Sequence, residues 1–401
     1  MKHLFQTLSR LACLALCLAG LIGQSQSASA DDSQILIRAK SIHTASGETI
    51  APGQVLIAGG KIVAIGKEVQ VQGGATEIEV DTLIPGLINA AGSTGLGNRA
   101  AEVSREITPD FATARSVDWS SRQFAEALDE GVTTIQILPE TESVFSGFAC
   151  VVKTAGEAQL LDGEKGVVIA ICSDPASGNR SRSRPDSIYV RQPTNRMGVV
   201  WIVRNALHQA KNKGSILGVD PKTQQVLEGI VAGKMSVLSV SRMDYDIRSA
   251  LELGDQYNFK PTIYGGDEVY RMLDTFKESH ASLVYTALTT SSSRLRGSEG
   301  TELRWNVPGQ MHEAGITFCL AGSNLLDQAR FAVRYGLPAD QALMSITLHP
   351  AKILNLDKEI GSIEVGKQAD LVALSGDPLK PTSRVEWTML RGNIYGNKEE
   401  K

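Results

Sequence analysis

Short apolar strands alternating with helical patterns constrain this chain more than any other feature. From Leu83 onward the expected strands are Ile84–Ala90, Val132–Leu138, Cys150–Lys153, Val167–Cys172, Ser236–Ser241, Pro261–Tyr264, Ala281–Tyr285 and Ile316–Ala321. Amphipathic patterns fall between many of them. SSRQFAEALDEG places Phe124, Ala127 and Leu128 on one face and stops at Gly131, and further helices are expected at Met197–Lys211, Tyr245–Gln256 and Asp267–Phe276. Strand–helix alternation requires a parallel sheet with its faces covered, and about eight such units imply a closed (β/α)8 barrel.

The barrel pattern is flanked by β signals. Residues 31–82 carry ILIRAKSIHT, QVLIAGGKIVAIG and TEIEVDT, punctuated by Ser46-Gly47, Pro52-Gly53 and Gly59-Gly60. Residues 358–401 return to strands in ADLVALSGDPL and VEWTMLRGNIYG. The expected organisation is a composite β-sandwich module built from 31–82 and 358–401, with an α/β barrel over 83–357.

Residues 1–30 read as a secretory signal: Lys2 and Arg10, an apolar core too short to span a bilayer, and Ala28-Ser29-Ala30 before Asp31. Neither Cys13 nor Cys17 sits in a lipobox, so an exported, periplasmic protein without a membrane span is expected. A net charge of −4 and no basic run argue against nucleic acid as a partner. Cys150, Cys172 and Cys319 each lie in or beside an apolar strand and are read as buried thiols. Two loops, Ser173–Ser187 and Thr289–Glu302, are rich in Ser, Arg and Gly. Arg180, Arg182 and Arg184 in the first are read as solvated charges.

Several motifs, in order, resemble the amidohydrolase superfamily, and most closely its imidazolonepropionase-like group. These are GGKIVAIG (Gly59–Gly66), LIPGLINAAGSTGL (Leu83–Leu96), EALDEGVTTIQILP (Glu126–Pro139), LHPAKILNL (Leu348–Leu356) and IGSIEVGKQADLVALSGDPL (Ile360–Leu379). The resemblance implies a metal-activated water at the C-terminal end of the barrel. Its ligands would be His-x-His after the first strand, a His after each of strands five and six, and an Asp after strand eight.

This chain departs from that pattern at every one of those places. The first-strand pair is Ala91 and Ser93. VLSVSRMDYDI puts Val240 or Arg242 at the fifth strand. PTIYGGDEVYR puts Gly265 near the sixth, and GITFCLAGSN puts Ser323 at the eighth. No two histidines are spaced as a zinc pair. His43, His208, His280, His312 and His349 all fall away from the expected strand ends.

The resemblance and the departure together give the expectation of a metal-free, cofactor-free pseudoenzyme. It would bind a small molecule, or associate as a homo-oligomer or with an active amidohydrolase. The alternative is a working hydrolase of C–N bonds (cyclic amides, imidazolones or dipeptides) with an atypical site, which would need zinc or another divalent metal. Ala91, Ser93, Lys153, Arg242, Gly265 and Ser323 are expected to line a vestigial pocket, with Asp267 and Glu268 beside it. No residue is assigned as catalytic.

Overall fold

The computed structural model describes residues 34–97, 102, 104–156, 159–177, 192–214, 219–286, 288 and 304–396. The expected signal segment, Arg180, Arg182, Arg184 and most of the two polar loops lie outside the described residues. Among the described residues, no helix is long and apolar enough to cross a membrane.

The two ends of the chain build one seven-stranded sheet. Its strands are β1 (Gln34–Ile42), β2 (Gly53–Ala58), β3 (Lys61–Gly66), β4 (Ala75–Pro85), β13 (Leu371–Leu374), β14 (Val385–Leu390) and β15 (Asn393–Tyr395), in the order β15-β14-β13-β4-β1-β2-β3. The 11-residue β4 joins the halves: it pairs in parallel with β1 from Ala75 to Leu83, while Thr82–Pro85 pairs antiparallel with β13. Ile37, Val55, Ile57, Leu83, Leu371 and Met389 form the core of this module. Burying each such side chain contributes about 1.5–3 kcal/mol.

The chain passes into the barrel at Gly86. A Cβ there would lie 2.4 Å from Thr133 Oγ1, so only glycine permits the close approach of the two strands. The barrel strands are β5 (Leu87–Gly92), β6 (Val132–Ile137), β7 (Phe145–Lys153), β8 (Leu160–Ala170), β9 (Val237–Ser241), β10 (Pro261–Gly265), β11 (Ser282–Tyr285) and β12 (Phe318–Leu320), hydrogen-bonded in sequence order. All eight expected strands are present, and the sheet is nearly closed.

One strand departs from the parallel pattern. β7 runs antiparallel to both β6 and β8, because β6–β7–β8 is a meander of hairpins with no helix among the described residues between its strands. Antiparallel neighbours need only a short turn, whereas a parallel pair needs a crossover.

Between β12 and β5 closure is made by side chains and a turn. Asn89 Oδ1 accepts from Gly322 N at 3.0 Å, and the Ser345 and Ile346 carbonyls accept from Leu320 N and Ile88 N, each at 3.0 Å.

The helices are α1 (Gln123–Asp129), α2 (Asp174–Ser177), α3 (Arg196–Lys211), α4 (Pro221–Val231), α5 (Asp244–Tyr257), α6 (Leu273–Ser279), α7 (Val307–Ala314), α8 (Leu325–Arg334), α9 (Ala339–Met344) and α10 (Leu348–Ile353). Their starts follow local chemistry. Asn195 caps α3 by accepting from Gly198 N, and Asp220 caps α4 with Pro221 in the first turn. The helix expected at Asp267–Phe276 is split into a 3-10 turn at Val269–Arg271 and α6. Met272 (φ −146°) leaves helical geometry between them.

The barrel interior is narrow and filled. Ala90, Ala149, Ala170, Cys172, Cys319 and Ala321 share it with the larger Leu238 and Val240 of β9 and Tyr264 of β10. Small residues on facing strands admit Tyr264, whose hydroxyl donates to Gln136 Oε1. Cys150, Cys172 and Cys319 are buried and unpaired. Burial pushes the Cys150 thiol up to about 12.

Candidate functional site: an ion-paired barrel mouth

In parallel α/β barrels, sites form at the C-terminal ends of the strands, where the loops converge. Five of the six expected pocket residues lie at this end. Ala91 is partly buried against the interior cluster, and Asn89 Oδ1 ties its N–H to that of Gly322, bringing the ends of β5 and β12 together. Ser93 is exposed one residue beyond β5. Gly265 ends β10 with φ +105°, and a Cβ on it would meet Ser241 O at 3.1 Å and Arg242 Cγ at 3.2 Å. Ser323 follows β12 and lines a cavity of about 330 Å³ with Trp305 and Phe331.

Lys153 is at the other end. Because β7 is antiparallel, its last residue faces the start of β6, and Lys153 pairs in register with Thr134. Its ammonium donates to Thr134 Oγ1 at 2.9 Å and forms an ion pair with Asp370 of the sheet module. The pair is 1% and 3% exposed. Asp370 also accepts from Arg391 N at 3.0 Å, so Lys153 fastens the barrel base to the module and takes no part in the mouth. Its place beside the mouth followed from taking β7 as parallel. The hairpin reverses that placement.

The mouth is organised by Arg242. The inward positions along β9 are held by Leu238 and Val240, both in the interior cluster, and Arg242 takes the next position of the same parity. Its guanidinium makes a bidentate contact with Asp174, Nη1 to Oδ1 and Nη2 to Oδ2, both at 2.6 Å. Asp174 Oδ2 also accepts from Thr141 Oγ1 at 2.6 Å. Burial works against the charge on Arg242, but Asp174, Cys172 and Asp267 more than offset it, and its pKa is raised. Burial likewise pushes Asp174 up, while Arg242, Thr141 and the Cys172 thiol overcome it and hold the carboxyl below its ordinary range.

Asp267 and Glu268, after β10, are 5% and 7% exposed. Glu268 accepts from Asp244 N at 3.3 Å and pairs with Arg271 at 3.3 Å, which places it in the helix-start network around α5. Sequence reasoning named Arg242, Asp267 and Glu268 but missed Asp174 and Thr141. Asp174 lies two residues past the expected strand Val167–Cys172, a position that marks the barrel mouth. The Ser- and Arg-rich composition of the loop that begins there masked it.

A divalent metal, as the sequence resemblance implies, does not fit these residues. Ala91 and Gly265 offer no donor atom, Ser323 offers a neutral hydroxyl, and Arg242 brings a cation already bound to the nearest carboxylate. Among the described residues, no group of three His, Cys, Asp or Glu side chains is placed to hold a metal ion.

Comparison with known proteins places this geometry in context. Residues 299–395 match the amidohydrolase family. Among solved structures, an amidohydrolase from Thermotoga maritima MSB8 is 24% identical with a TM-score of 0.80, over 90% of this chain and 99% of that one. A Xaa-Pro dipeptidase with bound methionine is 17% identical with a TM-score of 0.58, over 90% of this chain and 100% of that one. An A. niger ochratoxinase is 16% identical with a TM-score of 0.54, over 92% and 96%. No curated protein matches. The chain therefore shares its fold with these structures, and the family match is confined to residues 299–395.

Proposed function

We propose that this chain is an exported, periplasmic pseudoenzyme of amidohydrolase fold, in the imidazolonepropionase-like group. It works without a catalytic metal, as a ligand-binding protein or as the partner subunit of an active relative. The observation that carries the reading is the bidentate Arg242–Asp174 pair in the mouth. A fixed guanidinium repels a divalent cation. At a separation of ~5 Å and an effective dielectric constant of ~20 the repulsion is roughly 6–7 kcal/mol, before Asp174 offsets part of it. The same contact engages both carboxylate oxygens of Asp174. Fold alone does not confer activity when the site chemistry differs.

The names of the structural neighbours suggest the competing reading, hydrolysis of dipeptide or related C–N bonds. That chemistry needs a polarised carbonyl and an activated water. Ala91, Ser93, Gly265 and Ser323 supply neither group. The test is turnover of Xaa-Pro dipeptides and cyclic amides by protein pre-incubated with zinc or manganese. The expected rate equals that of the metal buffer. A saturable, chelator-sensitive rate in the unaltered protein would overturn the proposal.

A further inference from the structure

A second cavity lies at the opposite end of the barrel from the mouth, where the sheet module meets α9. We propose that it binds a small primary amine carried on a short apolar or aromatic body. The cavity holds about 270 Å³. At ~30 Å³ per water-sized volume this suits a ligand of roughly eight to ten heavy atoms. Junctions between structural units are common places for such sites.

The lining is divided by chemistry. Ile84, Pro85, Leu343 and Met344 supply apolar groups, while His43, Thr49 and Asp340 supply polar ones. The lining loop Thr44–Gly47 is fixed. Ile363 N donates to Thr44 O at 2.9 Å, Gly47 N donates to Thr44 Oγ1 at 3.1 Å, and Ala45 is held at φ +62°, a conformation non-glycine residues rarely adopt. The pocket is therefore shaped before a ligand arrives.

The sign of the ligand's charge follows from the lining. The imidazole of His43 lies between the hydroxyls of Ser41 (3.4 Å) and Thr49 (3.2 Å), and burial lowers its pKa, so it is neutral at pH 7. Among the described residues, no Lys or Arg lines the cavity, and Asp340 carries the only formal charge there. Its Oδ2 accepts from Gln341 Nε2 at 3.0 Å, and the carboxylate has capacity for further donors. An ammonium complements this wall, and a carboxylate would meet Asp340 without a compensating cation.

The proposal rests on the ligand-binding reading of the chain, but its site is separate from the mouth. Benzylamine, benzyl alcohol and benzoate, titrated by ligand-observed NMR at pH 7, test it. Benzylamine is expected to saturate with a Kd near ~1 mM, as suits eight heavy atoms, and benzoate to bind at least tenfold more weakly. Met344→Trp fills the cavity and is expected to abolish binding. Asp340→Asn, on the exposed first turn of α9, is expected to weaken benzylamine about fivefold and leave benzyl alcohol unchanged. If Met344→Trp fails to fold, Asp340→Asn carries the test. Equal affinity for benzoate, an unaltered benzylamine affinity in Asp340→Asn, or no saturable binding would each overturn the site. Absence of benzylamine binding leaves the metal-free reading of the mouth standing. Metal in the mouth overturns that reading and leaves this site intact.

Discussion

Replacing Lys153 by Met removes the cation from a buried ion pair and keeps most of the side-chain volume. Lys153 and Asp370 are 1% and 3% exposed, so water cannot solvate the carboxylate left behind. Asp370 would retain the Arg391 N–H, and Thr134 Oγ1 would lose the Lys153 ammonium. Breaking one side of a buried pair costs about 3–5 kcal/mol, mostly from the uncompensated charge. The assay is urea unfolding, comparing midpoints at constant slope. Adding Asp370→Asn to Lys153→Met removes the stranded charge and keeps an acceptor for Arg391 N, and should restore more than half of the loss. A single-variant cost below about 1 kcal/mol would refute the buried lock. A double variant no better than the single one would show that packing, not charge, sets the cost.

Three further outcomes are expected. Burial holds His349 at about 4, against 6.5 for the free side chain, so the unfolded chain binds the extra proton first as pH falls. Stability should therefore decline from pH 6.5 to pH 4, by roughly 3 kcal/mol at 1.36 kcal/mol per unit, and unfolding midpoints in His349→Gln should lose that slope. Arg242→Ala strips Asp174 of two charge-assisted bonds and should cost about 2 kcal/mol in denaturant unfolding; an unchanged midpoint would show that the pair does not organise the mouth. Gly147→Ala places a Cβ 2.4 Å from Phe111 O at φ +123°, and thermal unfolding should report a loss of about 3 kcal/mol or more.

Periodicity made most of the fold legible. Apolar runs located all eight barrel strands, and the strand signals at both chain ends located the module sheet. Direction was the gap. An apolar strand such as FSGFACVVK reads the same whether it runs up or down the barrel, and only the absence of a helical pattern between it and its neighbours marked β6–β7–β8 as a meander. That single reversal moved Lys153 from mouth to base. At the site, positions on a strand could be read from period 2, as Arg242 was. Partners from other strands could not, since the Arg242–Asp174 contact spans 68 residues of chain. The cavity at α9 was illegible for the same reason, because His43 and Asp340 meet only after the module folds onto the barrel.

The metal content of the purified protein, measured by elemental mass spectrometry after incubation with zinc, iron and manganese, tests the central claim most directly. The Arg242–Asp174 mouth predicts less than about a tenth of an equivalent of bound metal, as expected where a fixed cation takes the place of a divalent one. One or two equivalents, removable only by strong chelators, would contradict it.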